Sequence, residues 1–409
     1  MKRFFSRHEE KENVPHQINT FSFALYRELK ESGDSLFVSP FSISSCLAMV
    51  YGGAGGKTAK QIADVFGFPS DQNYLLEALG NLVKILSDDT QERAYQLLVA
   101  NALWGQKGYR FSPKYVELLA VKYGSEVNEV DFETQPEAAC QTINQWVQEK
   151  TQDKIKGIIQ PDLLDPLTRL VLTNAVYFKG KWELPFDEYL TDFSPFKMRT
   201  GTSELTEVDV AMMKKNGWFT YMENEDFQAI EMPYEGRELS MAIFLPREID
   251  GLPDFEASLT HENLSSWIQM LQPTDVEVSL PKFRLTSQFV MGELLQSMGM
   301  KDAFDQNTAD FSGMTEPKDF WVSDVLHKTF VDVGEEGTEA AAVTGAIAGL
   351  AEPEVAPPPP PVFRADHPFF FLIRHIASGT ILFMGRICDT VGLVQDTKNG
   401  IEVGQTAER

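Results

Sequence analysis

Apolar residues recur along the chain with two periods, which predict helices and strands respectively. Residues 17–29 and 136–150 place apolar side chains three and four positions apart, the spacing of a helix with one buried face. Residues 170–178 form a nearly continuous apolar run, which is typical of a strand buried on both faces. Shorter patterns predict strands at 240–246 and 276–280, a helix that opens at Ser39–Pro40 and a helix at 289–300. Helices and strands are thus mixed along the chain, and we predict the α+β class.

The sequence contains no linker that would divide its 409 residues into separate domains. Its longest proline-rich stretch, at 357–361, lies so close to the C-terminus that too few residues follow it for an independent domain. We therefore expect one domain over 12–395, with an N-terminal extension at 1–11. The polar C-terminal tail at 396–409 is expected to be frayed, beginning soon after Gly392.

One segment departs from both patterns because its even-numbered positions are all small. These positions are Thr338, Ala340, Ala342, Thr344, Ala346 and Ala348. In a strand they would share one face, and small side chains on one face suit a strand that enters a tightly packed sheet. The glycines at 337, 345 and 349 and the prolines after 352 disfavour a strand that stays in place. We interpret the segment as a mobile loop that is able to become a strand.

The formal charge of −24, from 60 acidic and 36 basic residues, excludes two classes of partner. Nucleic acids and anionic membranes bind basic surfaces, so we expect neither as a partner. No apolar run approaches the roughly 18 residues of a membrane-spanning helix. The first ten residues lack the apolar stretch of a signal peptide, which predicts a cytoplasmic protein, or an extracellular one if a leader has been removed.

Residue types that commonly carry chemistry are sparse. The three cysteines, Cys46, Cys140 and Cys388, lie far apart without metal-ligand spacing, so we expect no disulfide framework, no metal site and no cofactor. The chain contains none of the nucleophile-elbow, zinc-protease or Cys-x-x-Cys motifs, and it has only six histidines. We therefore predict that the protein is not an enzyme.

Five blocks of sequence resemble the serpin family, in the order in which that family carries them. The blocks are SLFVSPFSI at 35–43, LTNAVYFKGKW at 172–182, LPKF at 280–283, ADHPFFFLIR at 365–374 and FMGRI at 383–387. The small-residue segment, GEEGTEAAAVT at 334–344, resembles the proximal hinge of the reactive-centre loop of inhibitory serpins. Several long motifs in a fixed order are a more specific signal than any single one, and these span roughly residues 12–395.

The resemblance implies the serpin fold, with three β-sheets, about eight to nine helices and an exposed reactive-centre loop at about 335–362. The implied hinge consists of Glu335, Gly337, Thr338, Ala340, Ala341, Ala342, Val343 and Thr344. Family members that have lost inhibition often carry a charged or bulky residue at the positions that would face into the sheet after insertion (the inward positions). An unpaired charge buried there would stall insertion. Uncharged Thr338, followed by alanines, therefore predicts the inhibitory type.

The resemblance also implies inhibition of serine proteases by a suicide-substrate mechanism, with the target protease as a covalently bound partner. Family spacing places the reactive bond at Ala351–Glu352, or at Leu350–Ala351 if the register differs by one residue. Small or apolar side chains there suit an elastase-like, chymotrypsin-like or subtilisin-like protease. The alternatives are a non-inhibitory serpin acting as a carrier, chaperone or storage protein, and a cross-class inhibitor of papain-like cysteine proteases.

Two groups of supporting residues are carried over by motif. The shutter beneath the main sheet is Ser39, Ser42, Asn101, Asn174 and His327, and the breach, where the loop enters, is Trp182, Lys282 and Glu335. Hydroxyl, amide and imidazole groups can exchange hydrogen-bond partners as strands part. At the breach we expect an ion pair between Glu335 and Lys282.

Two further expectations concern partners and the far side of the loop. Where heparin-binding serpins carry a basic helix, this chain reads LLEAL at 75–79, so we predict no heparin binding. We also expect a monomer. The five prolines at 357–361 form a stiff polyproline strut of about 15 Å, which either holds the bait away from the body or is a plain spacer.

Overall fold

The computed structural model describes residues 13–87, 93–123, 125, 127–200, 204–317, 319–337, 359–397 and 400–403. These ranges contain nine α-helices: α1 Val14–Leu29, α2 Pro40–Tyr51, α3 Gly56–Phe66, α4 Gln72–Ser87, α5 Pro113–Tyr123, α6 Pro136–Lys150, α7 Leu252–Ala257, α8 His261–Met270 and α9 Gly292–Ser297. They also contain short 3-10 helices at Lys30–Ser32, Pro161–Leu163, Glu188–Leu190 and Asp302–Phe304.

Two helices begin where the local sequence predicts. The Oγ of Ser39 accepts a hydrogen bond from the backbone N–H of Ser42 at 3.2 Å, and Pro40 occupies the first turn, so α2 starts at this cap. Pro136 likewise opens α6, which confirms the helix predicted at 136–150. The helix predicted at 17–29 starts slightly earlier, at Val14, because Asn13 caps it.

The same ranges contain sixteen strands: β1 Leu36–Val38, β2 Tyr95–Gln106, β3 Val127–Val130, β4 Leu170–Gly180, β5 Asp192–Thr200, β6 Glu204–Glu223, β7 Phe227–Pro233, β8 Leu239–Pro246, β9 Gln272–Pro281, β10 Phe283–Val290, β11 Val322–Val333, β12 Val362–Arg364, β13 Phe369–His375, β14 Ile381–Ile387, β15 Val394–Thr397 and β16 Gly400–Val403. The three predicted strands lie within β4, β8 and β9, and the α+β class is confirmed.

The strands form a five-stranded and an eleven-stranded sheet. The five-stranded sheet has the order β10-β11-β4-β2-β3. In the larger sheet, the 20-residue strand β6 pairs with β7 at one end and with β5 and β9 along its remaining length. Hydrogen bonding therefore joins two of the three expected sheets into one continuous unit, and β12 pairs with β9 at its edge.

The five-stranded sheet lies between two apolar cores, which explains the nearly continuous apolar run of β4. Leu172, Val176 and Phe178 point into the main core that the sheet shares with α2 and the larger sheet. The alternate residues Val171, Ala175 and Tyr177 point into a second core beneath α6. The connection from α6 to β4 also covers this face, and the Lys328 side chain on β11 donates to the carbonyl of Lys156 within it at 2.9 Å.

Two sequence predictions are wrong. The helix predicted at 289–300 is confined to α9, because β10 continues to Val290 and pairs Phe289 with His327 of β11. The tail predicted to be frayed contains β15 and β16, which form an antiparallel hairpin. The dipeptide Asn399–Gly400, which is typical of turns, was a usable signal for this hairpin.

Two absences hold for the part of the chain that the structure describes. No helix there is long and apolar enough to cross a membrane. Within the same ranges, no group of three or more potential metal-ligating side chains comes together.

Candidate functional site

The joint between β4 and β11 runs along the middle of the five-stranded sheet and is closed. These two parallel strands pair directly, from Val322 opposite Leu170 to Val331 opposite Phe178. A new strand between them would require a separation of about one strand spacing, ~4.8 Å.

The predicted loop leaves the sheet through a tight turn beyond β11. The N–H of Gly334 donates to the carbonyl of Gly337 at 2.7 Å, and the reverse bond is 3.2 Å. Gly337 also forms a β-bridge with Lys181, directly past the end of β4. Its φ is +119°, and a Cβ there would lie 2.0 Å from the carbonyl oxygen of Gly180, so only glycine fits. The loop therefore starts beside the end of the joint, where β4 and β11 both finish.

The predicted ion pair at the breach is present. The Nζ of Lys282 lies 2.7 Å from Oε2 of Glu335, and the other carboxylate oxygen accepts a hydrogen bond from Oγ1 of Thr191 at 2.8 Å. Glu335 is buried. Burial alone raises the pKa of Glu335, but the hydrogen bonds from Lys282, the backbone and Thr191 outweigh it and lower the pKa below its ordinary value. Glu335 is therefore held as a carboxylate.

Trp182 connects the end of β4 to the turn beyond β11. Its indole Nε1–H donates to the carbonyl of Gly334 at 3.0 Å, and its backbone N–H donates to the carbonyl of Glu336 at 2.9 Å. The indole is buried and stacks on Tyr234, with ring centroids 4.6 Å apart and planes 9° apart. These bonds cross the joint at the point where the loop begins, so they would have to break or shift for a strand to enter.

Sequence reasoning missed three residues of the breach. Thr191 bonds Glu335, Tyr234 supports Trp182, and the N–H of Phe186 donates to the carbonyl of Glu335 at 2.7 Å. Thr191 is 144 positions away from Glu335 along the chain. No local pattern marks such a partner, because the contact exists only after the segment beyond β4 has folded over the turn.

The shutter residues form a row across the sheet at a single register. His327 of β11 lies opposite Asn174 of β4, and Asn174 lies opposite Asn101 of β2. Phe289 of β10 continues the row on the other side, with its ring stacked on that of His327 at 6.2 Å. His327 and Asn174 are fully buried. The structure thus brings the predicted strand residues together in the middle of the joint.

The hydrogen bonds of the row have a defined direction. The backbone N–H of Ser39 donates to Nε2 of His327 at 3.1 Å, so this nitrogen carries no proton and Nδ1–H donates to Oδ1 of Asn174. The Nδ2 of Asn174 in turn donates to the carbonyl of Ser42 at 3.1 Å and contacts Oδ1 of Asn101. Ser39 also donates from Oγ to the carbonyl of Leu382 at 2.8 Å. The hydrogen-bond network therefore ends at the start of α2, on Ser39 and Ser42.

Burial keeps the central imidazole neutral. Desolvation lowers the pKa of His327 to about 3, although the bond to Asn174 opposes this shift. A second proton would also occupy Nε2 and remove the acceptor of the Ser39 N–H. The bond between His327 and Asn174 crosses the β4–β11 joint, so it holds the joint closed without any net charge.

Sequence reasoning missed Ser45 and Phe289 in this region. Ser45, one turn along α2 from Ser42, accepts a hydrogen bond from Nδ2 of Asn101 at 3.4 Å. The helical spacing of Ser42 and Ser45 was a usable signal for this contact. The helix predicted at 289–300 includes Phe289, so the sequence did not indicate that Phe289 lies opposite His327 on a neighbouring strand.

The remaining predicted loop residues lie outside the described ranges. These are the hinge residues Thr338, Ala340, Ala341, Ala342, Val343 and Thr344 and the reactive-bond residues Leu350, Ala351 and Glu352. The chain is described again from Pro359, and the carbonyl of Pro361 accepts a hydrogen bond from the N–H of Glu277 at 3.0 Å. The loop thus returns to β12, at the edge of the larger sheet.

Comparisons with known proteins agree with this geometry. A family model described as Serpin (serine protease inhibitor) matches residues 16–390. Leukocyte elastase inhibitor of Homo sapiens is 39% identical over 378 residues, covering 90% of this chain and 96% of that protein. An uncharacterized serpin-like protein of Thermococcus kodakarensis is 40% identical over 374 residues, covering 91% and 85% respectively. The solved structure of human thyroxine-binding globulin superposes with a TM-score of 0.82 at 30% identity, covering 93% of this chain and 99% of that one. The chain belongs to the serpin family.

Proposed function

We propose that this serpin inhibits serine proteases as a suicide substrate, with cleavage at Ala351–Glu352 or one residue before it. The observation that carries the proposal is the position of Gly337. Gly337 lies beside the end of a closed β4–β11 joint, and the sequence beyond it has small side chains at every second position. A segment with that pattern can enter the joint as a strand.

The reaction begins as ordinary proteolysis. The protease serine attacks the carbonyl carbon of Ala351, the peptide bond to Glu352 breaks with protonation of its nitrogen, and an acyl-enzyme ester remains. Insertion of the freed loop into a sheet is established behaviour of serpins. Some 14 inserted residues at ~3.3 Å each carry the esterified protease roughly 45 Å along the sheet. Inhibition results when insertion is faster than hydrolysis of the ester.

The contacts of the joint set the barrier to insertion in this proposal. The bond between His327 and Asn174 crosses the joint in its middle, and the bonds from Trp182 cross it at its end. The ladder bonds between β4 and β11 must also part. Each exposed strand edge finds a new partner in the inserted strand, so the broken bonds are replaced and a new strand is added. The inserted form should therefore be the more stable one.

The residues at the reactive bond indicate the class of target. Leu350 and Ala351 are apolar and small, and they suit the pockets of elastase-like, chymotrypsin-like or subtilisin-like proteases. The 39% identity to leukocyte elastase inhibitor is consistent with an elastase-like target.

The test mixes the protein with pancreatic elastase, chymotrypsin, subtilisin and papain in separate reactions. We expect an SDS-stable complex with at least one of the three serine proteases, and mass spectrometry of the released C-terminal peptide identifies the bond. A complex with papain alone would favour the cross-class alternative. Clean cleavage without a complex would reject inhibition and favour a non-inhibitory role, for which the likeness to thyroxine-binding globulin is the supporting observation.

A further inference from the structure

The C-terminal residues 392–395, which we call the C-terminal clamp, connect the two sheets at the breach. The carbonyl of Gly392 accepts a hydrogen bond from the N–H of Arg284 at 2.7 Å, and the N–H of Val394 donates to the carbonyl of Lys282 at 3.1 Å. Leu393 forms a β-bridge with Phe283 between these bonds. The clamp is thus bound along the first residues of β10.

The other side of the clamp is bound to the eleven-stranded sheet. Gln395 pairs with Val210 of β6, and β15 continues into the hairpin with β16. The side chain of Leu393 is fully buried in the main core. Gly392 has a φ of +80°, and a Cβ there would lie 2.3 Å from the carbonyl oxygen of Arg284, so the close approach of the two chains requires glycine. The clamp is therefore a specific, closely packed contact between the two sheets.

The clamp acts on the residue that pairs with the loop hinge. Lys282 is fixed through its N–H, which donates to the carbonyl of Ala211 at 2.8 Å, and through its carbonyl, which the clamp binds. The side chain of Lys282 is the partner of Glu335. The matched serpin family model ends at residue 390, so the clamp lies beyond the residues that the family model covers.

Opening of the joint would strain the contact between the clamp and β10. β10 is the outer strand of the five-stranded sheet, and the side chain of Arg284 bonds Asp332, which ties β10 to β11. Separation of β11 from β4 by ~4.8 Å displaces this pair of strands relative to the rest of the sheet. The clamp is bonded to β10 on one side and to β6 on the other, beside the pairing of β9 with β6. It therefore resists any movement of β10 and β11 away from the larger sheet. Because the clamp's bonds favour the closed arrangement, their loss shifts the molecule towards insertion.

We propose that the C-terminal clamp is a latch that slows entry of the reactive-centre loop into the sheet. The proposal rests on the proposed function, since it assumes that the loop inserts. It assigns a regulatory role to a segment that the sequence alone presented as a frayed tail.

The test compares Val394→Pro with Val394→Ala in the full chain. Proline lacks the N–H that binds the Lys282 carbonyl, whereas alanine keeps it, and both leave Leu393 in place. The loop is cleaved with excess protease, and timed samples are heated to measure how fast the heat-resistant inserted form appears. We expect the loop of Val394→Pro to insert about fivefold faster than that of the wild type, because the loss of one backbone hydrogen bond changes an equilibrium or rate by about that factor. Val394→Ala should change the insertion rate by less than about twofold.

A chain ending at Val391 should insert at least as fast as Val394→Pro, and a chain ending at Val403 should behave as the wild type. An unchanged insertion rate in Val394→Pro, with or without a lower unfolding temperature, would overturn the latch and leave the segment a structural contact. Faster insertion without a covalent protease complex in any variant would reject the proposed inhibition while supporting the latch. Failure of the cleaved wild type to insert would reject both.

Discussion

The middle and the end of the β4–β11 joint are closed by different kinds of interaction. In the middle, neutral side chains, His327 and Asn174, bond across the joint in full burial. At the end, an ion pair joins the buried carboxylate of Glu335 to Lys282, whose side chain is 32% exposed, beside the stacked ring of Trp182. Salt does not screen the hydrogen bond between the neutral, buried side chains, but acid breaks it by protonating His327. Salt does screen the attraction in a partly exposed ion pair. The two regions should therefore respond to different conditions.

The largest expected effect comes from Thr338→Arg, which tests whether the joint opens at all. A guanidinium at the first inward position would be buried in the sheet without a partner, at a cost of several kcal/mol. We expect the covalent complex to be replaced by cleaved inhibitor, with the unfolding temperature of the uncleaved protein unchanged. Glu339→Arg, on the outward side of an inserted strand, is the matched control and should retain the complex. Equal complex formation by both variants would contradict insertion in this register.

Removal of the central amide should have the next largest effect. Asn174→Ala leaves Nδ1–H of the fully buried His327 without its acceptor and removes one of the two donors to the side-chain oxygen of the partly buried Asn101. We expect a loss of about 3 kcal/mol in the free energy of unfolding, measured by urea denaturation. The exposed Asn216 on β6 provides the control, since its replacement by alanine should cost less than about 0.5 kcal/mol. Similar losses at both positions would show that the row does not hold the joint.

Acid should weaken the middle of the joint specifically. The pKa of His327 is about 3 in the folded protein and near 6.5 when unfolded, so the unfolded chain binds more protons between these values. The contribution of neutral His327 is complete above pH 6.5 and decreases as the pH falls towards 3. At pH 5 we expect a loss of about 2 kcal/mol from this residue. His327→Gln should flatten the pH dependence of urea unfolding; an unchanged slope would exclude His327 as its source.

The smallest effect is expected from the ion pair at the end of the joint. A double-mutant cycle of Lys282→Met and Glu335→Gln should give a coupling of about 1 kcal/mol, because Glu335 is buried while Lys282 is partly hydrated. The exposed pair Lys60–Asp64 on α3 is the control, with an expected coupling of about 0.3 kcal/mol. High salt should reduce the coupling at Glu335 and leave the Asn174 effect unchanged. A coupling of zero between Lys282 and Glu335 would show that their charges do not stabilise the breach.

Much of the site was predictable because its residues stand in long local motifs. Ser39, Asn174, Trp182 and Lys282 lie within blocks that resemble the serpin family, and the Glu335–Lys282 pair followed from that resemblance. Thr191 and Tyr234 carry no motif of their own, so their contacts with the breach could not be predicted. The hairpin of β15 and β16 was missed because the prediction rested on the polar character of the tail and not on its Asn399–Gly400 turn signal.

The sequence by itself determined the fold class, the starts of α2 and α6, and the small-residue segment, because caps, periodicity and side-chain size are properties of neighbouring residues. Only the tertiary structure decided that the β4–β11 joint is closed and that His327 and Asn174 share a register. It alone placed the C-terminal clamp across the breach. Each of these depends on which strand edges meet, and hydrogen bonds between residues far apart in the chain form only when the whole chain has folded around them.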